Sequence, residues 1–260
     1  MLSIANDFSR YFELEFGASD ELVARCQRLR YQIFCQEQQL FDAKNYNDYS
    51  ESDEYDCRSV HGILSYRRTK IDIATVRIIL CDKQQPEQPF PVEKFQLLRR
   101  SLRDKNWRVP RHSLGEISRF SVLKYFRRRH NDSFSPHGIS EALCDYDWHT
   151  LNRWYPHITL GLFRLVTQMS RAYDVHYWYA NMEPKLIRIL ARVGIEFISV
   201  GPLVEYLGLR QPCFGRVDDI LSGINQKRPE VLHFINGALG ERKHSPAVNR
   251  VSTRRSVHTH

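Results

Sequence analysis

Residues 113–129 read SLGEISRFSVLKYFRRR, and the fold turns on this stretch. Leu114, Ile117, Phe120, Val122 and Leu123 are apolar β-formers, enough for a buried strand, with Gly115 near its start and a basic cluster after its end. Two charges interrupt it, Glu116 and Arg119. An isolated charge inside a sheet is costly unless it is paired or faces a cleft, so the strand is expected to line a site. The plainer alternative is an edge strand with both charges in solvent. Alternation would send Glu116 and Arg119 to opposite faces, so both reach one cleft only if a bulge lies between them. A bulge also frees backbone N–H groups, the donors that a developing oxyanion requires.

Upstream, YFELEF at 11–16 alternates loosely and reads as a first strand. A helix follows with Ser19 as N-cap and Leu22, Cys26, Leu29 and Ile33 on one face, Arg30 and Phe34 lying one step round from that stripe. It runs out into QEQQLFDAKNYNDYS, which lacks periodicity and reads as a mobile cover. Four acids, Glu51, Asp53, Glu54 and Asp56, precede a hairpin of strands at 59–66 and 71–80. In the second strand Ala74, Val76, Ile78 and Leu80 share one face, and Arg77 is a charge on the other. Like Arg119 it needs a carboxylate partner, and the acids at 51–56 supply one; the alternative for those acids is a solvated turn.

Downstream of the central strand, residues 130–155 carry no clear pattern. Pro156 then opens a helix with Ile158, Leu162, Leu165, Met169 and Ala172 on one face. A strand at 176–182, a second Pro-started helix from Pro184 to Val193 closed by Gly194, and a last strand pair drawn from IEFISVGPLV and EYLGLRQPCFGRV complete the order. Residues 82–112, with four prolines, form a long excursion with a short helix expected at 93–103.

The 260 residues, 42% of them hydrophobic, suffice for one full core. One domain is expected over 1–220, with a C-terminal extension at 221–260 whose last part, 241–260, holds five Lys/Arg and is expected to be disordered. No run of 18 apolar residues occurs, and acids interrupt the N-terminus where a signal peptide would be apolar, so a cytoplasmic protein without a transmembrane segment is expected. The six cysteines include no Cys-x-x-Cys pair, which argues against a metal site and a disulfide scaffold and for buried free thiols. His61, His112, His137 and His149 are isolated, and a structural role is the simplest reading for each. Of the formal net charge of +8, much sits at 99–129, where eleven Lys/Arg stand against Asp104 and Glu116. Such a surface suits an acidic partner. Nucleic acid is one candidate, but the acids buried in strands and the absence of a recognisable binding motif weigh against it.

The order strand, hairpin, acid-bearing strand, long helix, strand, helix, strand pair is similar to that of GNAT-like acyltransferases. The segments LRYQIF (29–34), ESDEYD (51–56), ATVRIIL (74–80) and EISRFSV (116–122) resemble, in order, the motifs of the acyl-homoserine-lactone (autoinducer) synthases and the N-acyl amino acid synthases. RYQIFCQEQQLF, DEYDCRSVHGIL and EISRFSVLKYFRRR resemble the branch of PEP-CTERM/exosortase-associated acyltransferases. The resemblance implies an α/β (α+β) fold: a GNAT-like mixed, mostly antiparallel central sheet flanked by helices, with a bulged and splayed central strand.

It also implies roles. Glu116, Arg119 and Phe120 fall on the catalytic strand, with Glu116 as base and the N–H groups near Arg119 and Phe120 as oxyanion donors. Arg30, Phe34, Asp53, Asp56 and Arg77 fall on substrate-binding positions, and Phe41 stands where autoinducer synthases carry a tryptophan. CoA-using relatives have a glycine-rich loop resembling R-x-x-G-x-G after the central strand; here that place reads KYFRRRHNDSFSPHGIS. The implied donor is therefore an acyl-phosphopantetheine thioester on acyl carrier protein rather than acyl-CoA, with no permanently bound cofactor or metal. Arg99, Arg100, Arg103, Lys124, Arg127, Arg128 and Arg129 would dock the carrier. The acceptor would be an amino acid or related small amine; an autoinducer synthase and a catalytically idle scaffold are the alternatives.

Overall fold

The computed structural model describes residues 4–46, 48–94, 109–127, 155–205 and 208–237. Helix α1 (Ile4–Tyr11) leads into strand β1 (Phe12–Gly17). Helix α2 (Asp20–Tyr31) starts where predicted: the Ser19 hydroxyl accepts the Leu22 N–H at 3.4 Å, and Asp20 and Glu21 meet the positive end of the helix dipole. Its last turn widens into a π-helix at Gln32–Glu37. Strands β2 (Ser59–Tyr66) and β3 (Ile71–Leu80) form the expected hairpin, and β4 (Leu114–Val122) is the central strand. Helix α3 (Tyr155–Ala172), β5 (Tyr177–Met182), α4 (Pro184–Ala191), β6 (Ile198–Ser199), β7 (Val204–Glu205), β8 (Leu209–Arg216), α5 (Val217–Lys227) and α6 (Pro229–Asn236) follow.

The sheet order is β1-β2-β3-β4-β5-β8-β6, with β7 paired to β8. Every pairing is antiparallel except β4 with β5, which is parallel. This is the mixed, mostly antiparallel GNAT-like sheet that the motifs implied. A parallel neighbour needs a crossover, and α3 provides it. Its apolar stripe, Ile158, Leu162, Leu165, Val166 and Met169, is fully buried on one face of the sheet. A Cβ on Gly161 would sit 2.6 Å from the Phe8 ring and 2.9 Å from Leu64, so only glycine lets helix and sheet come this close. Trp178 donates its indole N–H to the Ser170 hydroxyl at 2.8 Å, which satisfies the one polar atom of a fully buried ring. Gly194, at φ +87°, follows α4 as the predicted stop.

The opposite face carries α2, with Leu22, Cys26, Leu29 and Ile33 buried as their spacing required. The domain boundary expected at residue 220 falls inside α5. Ile220, Ile224, Val231, Phe234 and Ile235 are buried in the same cluster as α1 and α3, so the core runs on to 237 because these helices carry their own apolar stripes. The extension from 241 lies outside the described residues, as does all of the short helix expected at 93–103 beyond the turn Pro91–Lys94. Among the described residues five cysteines are free: Cys26, Cys35 and Cys213 are buried, whereas Cys57 is exposed and Cys81 half-buried. Among the described residues no helix is long and apolar enough to cross a membrane, and no His/Cys/Asp/Glu group could hold a metal ion.

Candidate active site

The bulge exists, at Arg119 itself. Thr75 pairs with Ser121 and Arg77 with Ser118, so Val76 alone faces both Arg119 and Phe120, and neither has a register partner. Arg119 takes φ +52°, a left-handed conformation that a side chain adopts only when its surroundings fix it. Alternation alone would send Arg119 to the α3 face. The bulge brings its guanidinium instead to the α2 face, which Glu116 and Ser118 share with Arg77.

There three guanidinium groups meet three carboxylates. Arg119 bonds Glu51 through Nε (3.0 Å) and Nη2 (2.8 Å) and Asp53 through Nη2 (2.9 Å). Arg77 reaches Asp53 at 2.8 Å through Nη2, both Asp53 and Asp56 through Nη1, and the Ser118 hydroxyl at 3.0 Å. Arg30 bonds Glu51 and takes Asp56 at 2.7 and 3.2 Å. Arg30 and Glu51 are wholly buried, Arg77 nearly so. Burial by itself would raise the pKa of each acid. The facing guanidinium groups overcome it and hold Glu51, Asp53 and Asp56 below the ordinary carboxylate values. His61 lies behind, with Nε2 3.7 Å from Asp56; burial keeps it neutral, its pKa lowered to about 3 against the pull of Asp56, consistent with a structural histidine.

Glu116 stands outside this network. It is 4% exposed, and the Val92 N–H donates to its Oε2 at 2.9 Å. Burial pushes its pKa up to about 8, because that single backbone donor compensates little of the lost hydration.

Beside Glu116 the sheet opens. Strands β4 and β5 pair from Leu114–Tyr177 to Ile117–Ala180 and then part, although β4 runs on to Val122 and β5 to Met182. A cavity of about 640 Å³ occupies the gap. On the α2 face it is lined by Asp53, Tyr55, Arg77, Glu116 and Ser118; on the α3 face by Val122, Phe163, Val166, Leu186, Leu190 and Phe197. One end is thus polar and the other apolar. The cover segment closes the α2 side: Gln38, Leu40, Phe41 and Tyr46 line the cavity, and the Arg119 guanidinium lies 5.6 Å from the Phe34 ring and 5.2 Å from the Phe41 ring.

Of the residues singled out from the sequence, Phe34, Phe41, Asp53, Arg77, Glu116, Arg119 and Phe120 line this one cavity. Arg30 and Asp56 sit behind it as supports. Of the docking set, Lys124 is exposed and its N–H donates to Glu37 at 2.7 Å; Arg127 is described in its backbone alone, and Arg99, Arg100, Arg103, Arg128 and Arg129 lie outside the described residues. The sequence reading offered Glu51 among the acids at 51–56 that could partner the strand arginines, but gave it no role of its own. It missed the Asn181, Glu183 and Arg210 wall, whose strands gave no sign of a cleft.

A family model described as an acetyltransferase (GNAT) domain matches residues 29–135, from the end of α2 through the bulged strand. Over these residues the chain is similar to GNAT acetyltransferases, and the match supports an acyltransferase. No curated protein matches this acyltransferase in sequence. Among solved structures, the CoA-dependent acyl-homoserine lactone synthase BjaI, with SAM and isopentyl-CoA, superposes with a TM-score of 0.60 at 13% identity over 92% of this chain and 95% of that one. TofI in a ternary complex with an inhibitor and MTA gives 0.55 at 13% identity, over 82% and 96%. FeeM, an N-acyl amino acid synthase from uncultured soil microbes, gives 0.48 at 15% identity, over 84% and 97%. At these identities the superpositions on BjaI and TofI establish the fold alone.

Proposed function

We propose that this acyltransferase moves a fatty acyl group from a phosphopantetheine thioester to the amino group of an amino acid or related amine, by direct attack. The observation that carries the proposal is a buried carboxyl, Glu116, at the point where the cavity passes from a charged chamber to an apolar one. The amine would sit in the charged chamber and the acyl chain in the apolar one, so the thioester carbon lies in the gap between β4 and β5.

In this mechanism the amine nitrogen bonds to the carbonyl carbon and its proton passes to Glu116. The tetrahedral oxyanion is held by N–H groups released at Arg119 and Phe120, the C–S bond breaks, and the proton is returned to the departing thiolate. An α-amino group has a pKa of about 7.7–8.0, so near pH 8 about half of the acceptor is already the free amine that attacks, and Glu116 takes only the proton released as the N–C bond forms. General-base help of this kind is worth roughly 10²–10⁴ in rate, and each oxyanion donor about 10² or more. Arg77 and Arg119 are engaged by Glu51, Asp53 and Asp56, which favours a role as organisers of the chamber over one as free anchors for an acceptor carboxylate.

Acyl carrier protein is the preferred donor vehicle, on the basic composition of 99–129 and the missing glycine-rich loop. The PEP-CTERM/exosortase association stands on the sequence motifs alone. A second reading, acyl-homoserine lactone synthase, is favoured by the likeness to BjaI and TofI; Phe41, at the position where the resemblance to autoinducer synthases implies a tryptophan, favours the linear product. Mass spectrometry of lipid extracts from cells producing the protein, paired with thiol release by the purified protein given acyl carrier protein or CoA thioesters, tests the proposal. A linear N-acyl amino acid supports it, a lactone supports the second reading, and no acyl product with any donor refutes both.

A further inference from the structure

Among the described residues three arginines line the cavity, and two of them, Arg77 and Arg119, are taken up by carboxylates of the site. The third, Arg210 on β8, is not. Its Nη1 contacts the Glu183 carboxylate at 3.1 Å and the Leu209 carbonyl at 3.3 Å; no bond is made by Nε or Nη2 among the described residues. The Glu183 side chain is 57% exposed, so the pair is a solvent-screened one, worth about 0–1 kcal/mol, and a phosphate anion would displace it readily.

Position narrows the identity of that anion. Glu116 pairs with Tyr179, and Tyr179 with Phe214; alternation then places Phe214, Pro212 and Arg210 on the same face of the sheet as Glu116. Arg210 comes one residue after Gln211, the partner of Met182, seen from the base, so four positions separate it from the level of Glu116, about 13 Å at the rise of a strand. An α-amino acid separates its amine from its carboxylate by a single carbon and does not span this distance. An extended arm does. The parallel strands also part in this direction, and this end reaches solvent at Glu183 whereas Glu116 is enclosed. Between the two, Asn181 lines the cavity, its side-chain oxygen buried and without a hydrogen-bond partner among the described residues, where an amide N–H of such an arm would satisfy it.

We infer that Arg210 is a binding residue for the phosphate of the donor's phosphopantetheine arm, at the solvent-facing end of the cavity. This rests on the thioester-donor reading above, and names the group on the donor that the enzyme grips. The phosphate is common to acyl carrier protein and CoA, so the assignment holds for either vehicle.

The test uses the full-length protein with acyl-phosphopantetheine, the dephosphorylated acyl-pantetheine, acyl-CoA and acyl carrier protein, each with the same acyl chain. The wild type is expected to favour the phosphorylated arm over acyl-pantetheine by about tenfold or more in KM, the range of a charge-assisted hydrogen bond. Arg210→Gln should bring that ratio close to one, and Arg210→Lys should restore part of it, with kcat moving less than KM in both. The CoA and carrier arms then tell which vehicle supplies the phosphate. Equal use of both short donors by the wild type, or a rise in KM for the acceptor alone in Arg210→Gln, overturns the assignment while leaving the acyl-transfer reading intact. Absence of acyl transfer from every donor overturns the reading itself.

Discussion

Arg119 and Glu51 are joined by a two-pronged contact, Nε to Oε2 at 3.0 Å and Nη2 to Oε1 at 2.8 Å, and it ties the bulge of β4 to the far wall of the site. Glu51 is itself fixed, its N–H donating to the Gln27 carbonyl of α2 at 3.1 Å. A left-handed Arg costs about 1–3 kcal/mol, which charge-assisted bonds of this geometry offset. The bulge is therefore held by a side chain 68 residues away rather than by its own sequence.

Glu51→Gln leaves two buried guanidinium groups short of one negative charge. Loss of a partner from a buried pair costs about 3–5 kcal/mol. Urea denaturation should show the midpoint falling by that equivalent with the slope unchanged. A loss below about 0.5 kcal/mol would mean that the network is not what supports the bulge.

Stability should peak in mildly acidic solution. Glu51, Asp53 and Asp56 have depressed pKa values, so the stability they supply is complete above their ordinary values, near 4, and is lost as the pH falls below them. Glu116 has the opposite sign. Raised from 4.5 to about 8, it contributes stability that is fully present below 4.5 and drains away as the pH climbs to about 8. Denaturation at pH 5 and pH 8 should therefore show a decline in the wild type that Glu116→Gln reduces; an equal decline in both proteins would contradict the assigned pKa.

Leu186, half-buried at the start of α4, borders the apolar chamber. Leu186→Trp fills part of it. With a series of acyl donors of increasing length, kcat/KM for the longest productive chain should fall at least tenfold while that for an acetyl donor changes less than threefold. Uniform loss across the series would place the acyl chain elsewhere.

Most of the fold was legible because its signals are local. Ser19 capping α2, the hairpin at 59–80, and Pro184 and Gly194 bracketing α4 depend on neighbours in sequence. The need for a bulge was also legible, from two charges of wrong parity in one strand. Its place was not: it lies at Arg119–Phe120 because Glu51 and Asp53 pull Arg119 across, a contact between distant segments. The parting of β4 from β5 was implied by the resemblance as a splayed central strand, but the residues alone did not place it, because it depends on where parallel pairing stops; the placement of Asn181 and Arg210 at the cavity went unread for the same reason. The boundary drawn at 220 failed for another reason. Two short amphipathic helices near a basic tail look like an appendage until α1 and α3 are seen to pack against them.

The most direct measurement is kcat/KM for acyl transfer to an amino acid between pH 6 and 9, in the wild type and in Glu116→Gln. Glu116 acting as base predicts a wild-type rate that rises through a midpoint near pH 8 and levels off above it, and a variant at least tenfold slower, folded, and lacking the part of the rise due to the carboxyl. A Glu116→Gln protein that turns over at the wild-type rate along the same pH profile would show that the proton goes elsewhere.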